Sequence, residues 1–477
     1  MKENPFRQER EEMKELLRQY NNFKTGKKFN FIEEESFEQI IDYFDENDNL
    51  PLALEAADFA VEQYPYSSAL FIKKADILIA TQRYREALAI LEKAEILDSS
   101  DINLYILKTD AYLALDDHLK AAALLEEAIF VFDGIEKTEL LFELADVYDD
   151  YEEFDKVFNC LKLILEKDPT NEEALYKICF WTDYTKRNEE SIELHQKIID
   201  EFPYTQLAWF NLGAAYQGLK LYEKSIDAYQ YAIAIDDKFD YAYRNLGDAY
   251  LRLRKYREAI EVLQKVLELA MPEEVIYEAI GYCYEKLKNP AQARFHYRKA
   301  VHLNATDSQL YYKIAGTYMN EGYWESAIKN LNSAMSIDKT QPEYHLSLAQ
   351  CFLELDRIKD AVIHFTYFIK ARPKNVKGWR ELIKCLYDAE YFEEALEQVS
   401  NAQKNTIDKP LFDYYKAAIL FELGKSKEAL LCLQYAMKRA PGMVRQMIHL
   451  NPSLLQNTAV AEVISAYKAP VNKRKKK

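Results

Sequence analysis

Glycine is scarce in this chain, 11 among 477 residues, and histidine is scarcer at seven. The histidines include no HExxH and no pair four residues apart, which removes the usual helical zinc motif. The six cysteines, Cys160, Cys179, Cys283, Cys351, Cys385 and Cys432, are widely spaced and form no CxxC pair. Neither a metal site nor a disulfide framework is indicated, and a reducing compartment fits. No uninterrupted apolar run approaches membrane-spanning length, and the N-terminus, MKENPFRQEREEMKELLRQY, is charged throughout and lacks the apolar core of a signal peptide. A soluble, cytoplasmic protein without a membrane span is expected. Positive charge is also in deficit. A formal net charge of −17 makes the chain a poor ligand for nucleic acid, which requires a basic footprint to displace counterions. What is present in quantity is apolar material, 49% of residues, ample for a core.

That material is periodic. Residues 209–217 read WFNLGAAYQ, and steps of 34 residues find YRNLGDAY at 243–250 and YEAIGYCY at 277–284. Twelve repeats follow, starting at residues 34, 68 and 102, then 138, 172, 206, 240, 274, 308, 342, 376 and 410. The register breaks by two residues, Glu136 and Lys137, just after Gly134, where a longer turn is expected. Position 8 is small, as in Ala75, Ala145, Gly213, Gly247, Gly281 and Ala315, because two helices must cross closely there. Positions 20 and 27 are the matching small sites of the second helix, as in Ala259, Ala293 and Ala327 and in Ala232, Ala300 and Ala334. Larger apolar residues at positions 4, 7, 11 and 24 complete a helical period, as Trp209, Leu212, Tyr216 and Tyr229 do. Proline at position 32 (Pro65, Pro169, Pro203, Pro373, Pro441) ends the second helix, and Gly322 and Gly424 at position 15 suit the interhelix turn.

The pattern closely resembles the tetratricopeptide repeat (TPR), whose 34-residue helix-turn-helix units stack into a right-handed superhelix. The resemblance spans residues 34–443. It implies an all-α, right-handed superhelical solenoid of about twelve units. Ile41, Thr109, Cys179 and Ile383 depart from the small residue expected at position 8. Residues 1–33 are read as an N-terminal capping helix and linker, with Met13, Leu16, Leu17 and Tyr20 on one stripe. Repeats 1–3 occupy 34–137 and repeats 4–12 occupy 138–443, as one continuous solenoid over 34–443. Residues 444–472 supply C-terminal capping helices, with Leu455, Val463, Ile464 and Tyr467 covering the last repeat, and 473–477, KRKKK, form a basic disordered tail.

No catalytic constellation emerges. Gly424-Lys425-Ser426 looks like the end of a phosphate loop, but Ile419 stands where the first glycine belongs and no strand precedes it. His195 and His345 fall at packing positions 24 and 4. Cysteine recurs at position 10 (Cys283, Cys351, Cys385) and position 23 (Cys160, Cys432), which packing explains. No catalytic, cofactor-binding or metal-ligating residue is nominated, and no cofactor is expected.

In the TPR family, positions 2, 5, 9, 12 and 13 of the first helices usually face the concave groove. Position 9 of repeats 1–4 reads Asp42, Asp76, Asp110 and Asp146, an acidic ladder. Residues 34–171 hold 33 Asp and Glu against 11 Lys and Arg, a net of 11 − 33 = −22. Further along, the groove positions turn aromatic with Tyr176, Phe180, Phe210, Tyr241, Tyr282 and Tyr312, then partly basic with Lys377, Arg380 and Lys384. Such tyrosines can pack or bind. The family's clamp for a partner's C-terminal carboxylate is absent, because Asn245 is preceded by Phe210 and Ala214 and followed by Val275 and Ala279 at the other clamp positions. The reading is a non-enzymatic scaffold or adaptor that binds protein segments, including a basic one, in the groove. The alternatives are a regulatory subunit of a larger assembly and an enzyme with an unrecognised site.

Overall fold

The structure, a computed structural model, describes residues 5–25, 31–407 and 409–468. The basic tail at 473–477 lies outside these residues. Every regular element among them is helical. The chain forms two compact blocks, Met1–Ala249 and Tyr250–Lys477. In the first, helix pairs run from Glu34–Glu46 with Leu50–Gln63 through Gln206–Gly218 with Tyr222–Ile235. In the second, they run from Glu274–Lys286 with Pro290–Leu303 through Pro410–Glu422 with Ser426–Arg439. Within each block consecutive helices pack against one another in chain order.

Local chemistry sets the helix ends. Position 15 is left-handed in all twelve repeats, from φ 56° at Asp48 to 78° at Gly322, although only Gly322 and Gly424 are glycines there. Outside repeat 5, the next residue's N–H donates back to the carbonyl of position 11, as from Arg83 to Leu78 (2.8 Å) and from Tyr391 to Leu386 (2.9 Å). This is a Schellman closure, and it holds the turn even where the side chain disfavours it. Position 34 caps the first helix of the following repeat: Ser67, Asp101, Asn171, Asp307 and Asn375 each accept from a backbone N–H of its first turn. Trp209 and Trp379 fix the preceding linker by donating to the carbonyls of Pro203 and Pro373, both at 2.8 Å.

The register break is absorbed differently from expectation. Glu136 and Lys137 lie inside a first helix that begins early, at Gly134, and runs to Asp150. The preceding helix stops at Ala128, and the N–H groups of Val131 and Phe132 both turn back to its carbonyl. Gly134, at φ 65°, starts the longer helix in a conformation that a side chain would disfavour. Phe130, Val131 and Ile135 are left exposed.

Packing between the two helices of a repeat turns on positions 8 and 24. A Cβ built on Gly213 would stand 2.7 Å from the Tyr229 ring, and one on Gly281 would stand 2.6 Å from the Tyr297 ring; both tyrosines are fully buried. Elsewhere the register matches Ala145 with Leu161 and Ala315 with Leu331. The large residues Ile41 and Ile383 are matched with the small Ala57 and Val399, and all four are buried. Those departures are therefore volume exchanges within one contact.

Repeat 5 differs in kind, since it matches Cys179 with His195. His195 is wholly buried; its Nδ1 lies 2.7 Å from the Ser191 carbonyl, and its Nε2 lies 3.1 Å from the Asn211 amide nitrogen. A neutral ring protonated on Nδ1 satisfies both bonds. Burial pushes its pKa down to about 4, against the opposing Ser191 bond.

The N-terminal helix, Pro5–Lys24, packs Tyr20, Leu16, Leu17 and Phe23 against the apolar residues of repeat 1. At the other end, Val444–Leu450 and Thr458–Lys468 follow the last repeat. Leu455 is exposed and its neighbour Leu454 points inward, because Pro452–Gln456 forms a 3-10 turn and Asn457 caps a helix that starts only at Thr458.

Two outcomes follow. Gly281→Ala should lower unfolding stability by about 1 to 3 kcal/mol, and adding Tyr297→Leu should recover part of the loss, since alanine faces leucine in other repeats. Urea melts of the three chains check this; a tolerated single change would show that the contact is not limiting. His195 has a depressed folded pKa, so the unfolded chain binds more protons between about pH 6.5 and 4. Its contribution, on the order of 3 kcal/mol, is present above this window and lost as pH falls through it. Melts across that range should slope less steeply for His195→Leu than for the natural chain, and equal slopes would refute a neutral buried ring.

Candidate partner-binding site

The nominated aspartates fall on one face. Asp42, Asp76, Asp110 and Asp146 are all exposed, on successive first helices. Lys73 reaches Asp42 at 2.5 Å and Lys177 approaches Asp146 at 3.7 Å. Asp76 and Asp110 make no ion pair among the described residues. Although Asp76 is solvent-accessible, its carboxylate is partly shielded: desolvation first, then Asp45, Asp110 and Asp42 against the opposing Lys73, raises its pKa. Desolvation also raises Asp110. Glu143, overlooked in the sequence because it sits at position 6, is raised by desolvation and then by Asp110, Asp146 and Glu139. The carboxylates thus share one field, and the protein bears an electrostatic cost for keeping them together.

Beside the wall lies an open cavity of about 450 Å³ within the N-terminal block. It gathers four of the six nominated aromatics, Tyr176, Phe180, Phe210 and Tyr241, with Trp181, Leu207 and Phe239. Tyr176, Phe180 and Tyr241 are more than half exposed, at 67%, 62% and 56%. Phe210 lines the cavity from below: at 9% exposed it is a floor residue, its ring 5.1 Å from Phe239 and 5.7 Å from Tyr229. Trp181 is held beneath Phe180 by edge contact at 4.9 Å and by stacking on Phe154 at 5.2 Å.

Polar groups at the cavity are few. Lys177 and Asn211 line it, both at position 6, as Glu143 is in repeat 4. Asn211 is buried, and its amide nitrogen donates to the Leu175 carbonyl at 2.7 Å and to His195. Its carbonyl oxygen has no partner. A buried acceptor left unpaired costs about 1 to 3 kcal/mol, which a donor brought by a ligand would offset.

The other two nominated aromatics belong to the C-terminal block. Tyr282 is 39% exposed, with the Lys286 ammonium 4.8 Å from its ring, whereas Tyr312 is partly buried with its ring 5.2 Å from that of Tyr344. Among the described residues, no helix is long and apolar enough to cross a membrane.

Comparison with known proteins agrees with this architecture. Tetratricopeptide repeat models match residues 207–239, 240–271, 275–307 and 308–341, in the 34-residue register. No curated protein matches the chain. Solved structures similar to it include YrrB, a TPR protein with an unusual peptide-binding site, at 20% identity over 39% of this chain and 95% of that one, with a TM-score of 0.35. The C-terminal part of a TPR repeat-containing protein from Cytophaga hutchinsonii is 15% identical over 54% of this chain and 99% of that one, with a TM-score of 0.44. A chain of the APC/C hetero-tetramer Cut9-Hcn1 is 12% identical over 82% and 97%, with a TM-score of 0.34. The repeat register along the chain, its helix-turn-helix realisation and the four matched repeats show that this chain carries tetratricopeptide repeats.

Proposed function

We propose that this protein is a non-enzymatic interaction scaffold that holds a segment of a partner protein in the groove of repeats 5 to 7. The carrying observation is the aromatic cavity. Buried apolar rings form its floor, exposed rings form its rim, and one buried acceptor awaits a donor. Rigid aromatic side chains offer large contact areas at low entropic cost, which favours protein ligands. The acidic wall of repeats 1 to 4 suits a partner with basic character, and its field would act mainly on encounter rate and selectivity.

Replacing Phe180 and Tyr241 together by alanine should weaken partner binding by at least about tenfold, since anchor residues contribute above roughly 1 kcal/mol each. Both side chains are largely exposed, so melting should barely change. A photo-crosslinker at position 176 should capture a discrete partner segment that the double variant loses, and one at the exposed Tyr66, in repeat 1, should not. A sharp fall in melting temperature with binding unaltered would mean that the rings serve packing alone.

The wall makes its own prediction. The folded pKa of Asp76 is raised, so the folded chain takes up a proton more readily than the unfolded one, and this residue's contribution to stability falls as pH rises through the window above the ordinary carboxylate value. Asp76→Asn should therefore stabilise the chain near neutrality, with the gain vanishing in acid where the carboxyl is protonated. Urea melts at both pH values decide it; a destabilised variant at neutral pH would show that this carboxylate serves the fold.

A further inference from the structure

Lys177 joins the two features. It lines the aromatic cavity, yet its ammonium lies 2.9 Å from Glu173 and 3.7 Å from Asp146, and 5.0 Å from the Phe142 ring. Glu143 and Asp149 are also close enough to feel it, and Asp150 adjoins Asp149. One ammonium therefore faces several carboxylates at the lip of the cavity on its repeat-4 side, and the local balance stays negative. Asp146, Asp149 and Asp150 are all exposed.

Building on the pocket reading above, we infer that the partner segment is bipartite: one apolar or aromatic side chain enters the cavity, and a lysine or arginine beside it settles among Asp146, Asp149 and Asp150. The anchor displaces water from Phe180, Phe210 and Tyr241, while a backbone N–H near it supplies the donor that the Asn211 carbonyl lacks. The basic side chain supplies the positive charge that Lys177 alone does not. Because Lys177 spans from the cavity lining to Asp146, the two ligand side chains stand close together. At about 3.4 Å per residue of extended chain, a separation of roughly two to four residues covers that span. Burying the apolar anchor supplies most of the affinity, and the charge selects among anchors. The exposed rings of Tyr176 and Phe180 also present faces to which a guanidinium is attracted.

The test uses the full chain and a positional-scanning library of acetylated, amidated decapeptides. The expected selection is Leu, Ile, Phe, Tyr or Trp at one position, with Lys or Arg roughly two to four residues away on one fixed side. Replacing the selected basic residue by glutamine should weaken binding by about threefold at low salt, and by much less at high salt. Asp146→Asn with Asp149→Asn and Asp150→Asn should erase the basic preference and keep the anchor preference. Phe180→Ala should do the reverse, and circular dichroism melts establish that both variants are folded. Anchor selection by the natural chain without a basic preference would overturn the bipartite inference and leave the pocket reading standing. Absence of any anchor selection, or selection of basic residues alone, would overturn the pocket reading itself and the inference with it.

Discussion

The contact between positions 8 and 24 is the constraint on which each repeat depends. Two short helices of 13 or 14 residues cannot bury much alone, so their distance of approach decides whether the next helix finds a complementary surface. Gly213 under Tyr229 and Gly281 under Tyr297 set that distance with one small and one large partner. Ile41 over Ala57 sets it with the sizes exchanged. In these three repeats a small residue on one helix meets a large one on the other, so either can vary where its partner compensates.

With the inter-helix contact and the turn at position 15 so tightly specified, the remaining face of each first helix is released from folding duty. The chain uses it unevenly. Repeats 1 to 4 present carboxylates close enough to raise one another's pKa values, and repeats 5 to 7 present rings around a cavity. A solvated face would disperse like charges, because their mutual repulsion lowers stability. Their alignment on successive first helices is what a surface kept for a cationic partner would require.

Much of this was legible in the sequence, for definite reasons. A strict 34-residue period places Ala, Pro and aromatic residues at fixed positions, so helix number, order and approximate ends follow from spacing. The aspartates at position 9 and the rings of Tyr176, Phe180 and Tyr241 were visible for the same reason. Position 6 was missed, although Glu143, Lys177 and Asn211 occupy it in three successive repeats and line the wall or the cavity. Period alone does not say how far a side chain reaches, and Lys177 acts at the far end of its four-carbon stem. The depth at which Phe210 sits was not legible, because its burial depends on Phe239, which lies at the end of its own repeat and beyond the groove positions. The end of the last repeat was misread by one residue, since a 3-10 turn shifts the phase by which Leu454 and Leu455 would be assigned inward or outward.

Three of the four departures at position 8 then separate into two kinds, and the fourth, Thr109, is matched with Leu125 and keeps a buried hydroxyl without a partner. Ile41 and Ile383 are compensated inside the same contact by Ala57 and Val399 and need no explanation beyond packing. Cys179 and His195 differ from the other pairs in polarity rather than in volume. They introduce a buried polar group whose solvation the core cannot replace, and it is satisfied only because Asn211 from the next repeat donates to it. That same asparagine is left with an unpaired carbonyl oxygen, and both it and Cys179 line the aromatic cavity. A polar departure from the repeat's apolar packing therefore lies directly beneath the candidate site. Such departures are expected to collect where a chain retains polar groups for binding at the expense of stability.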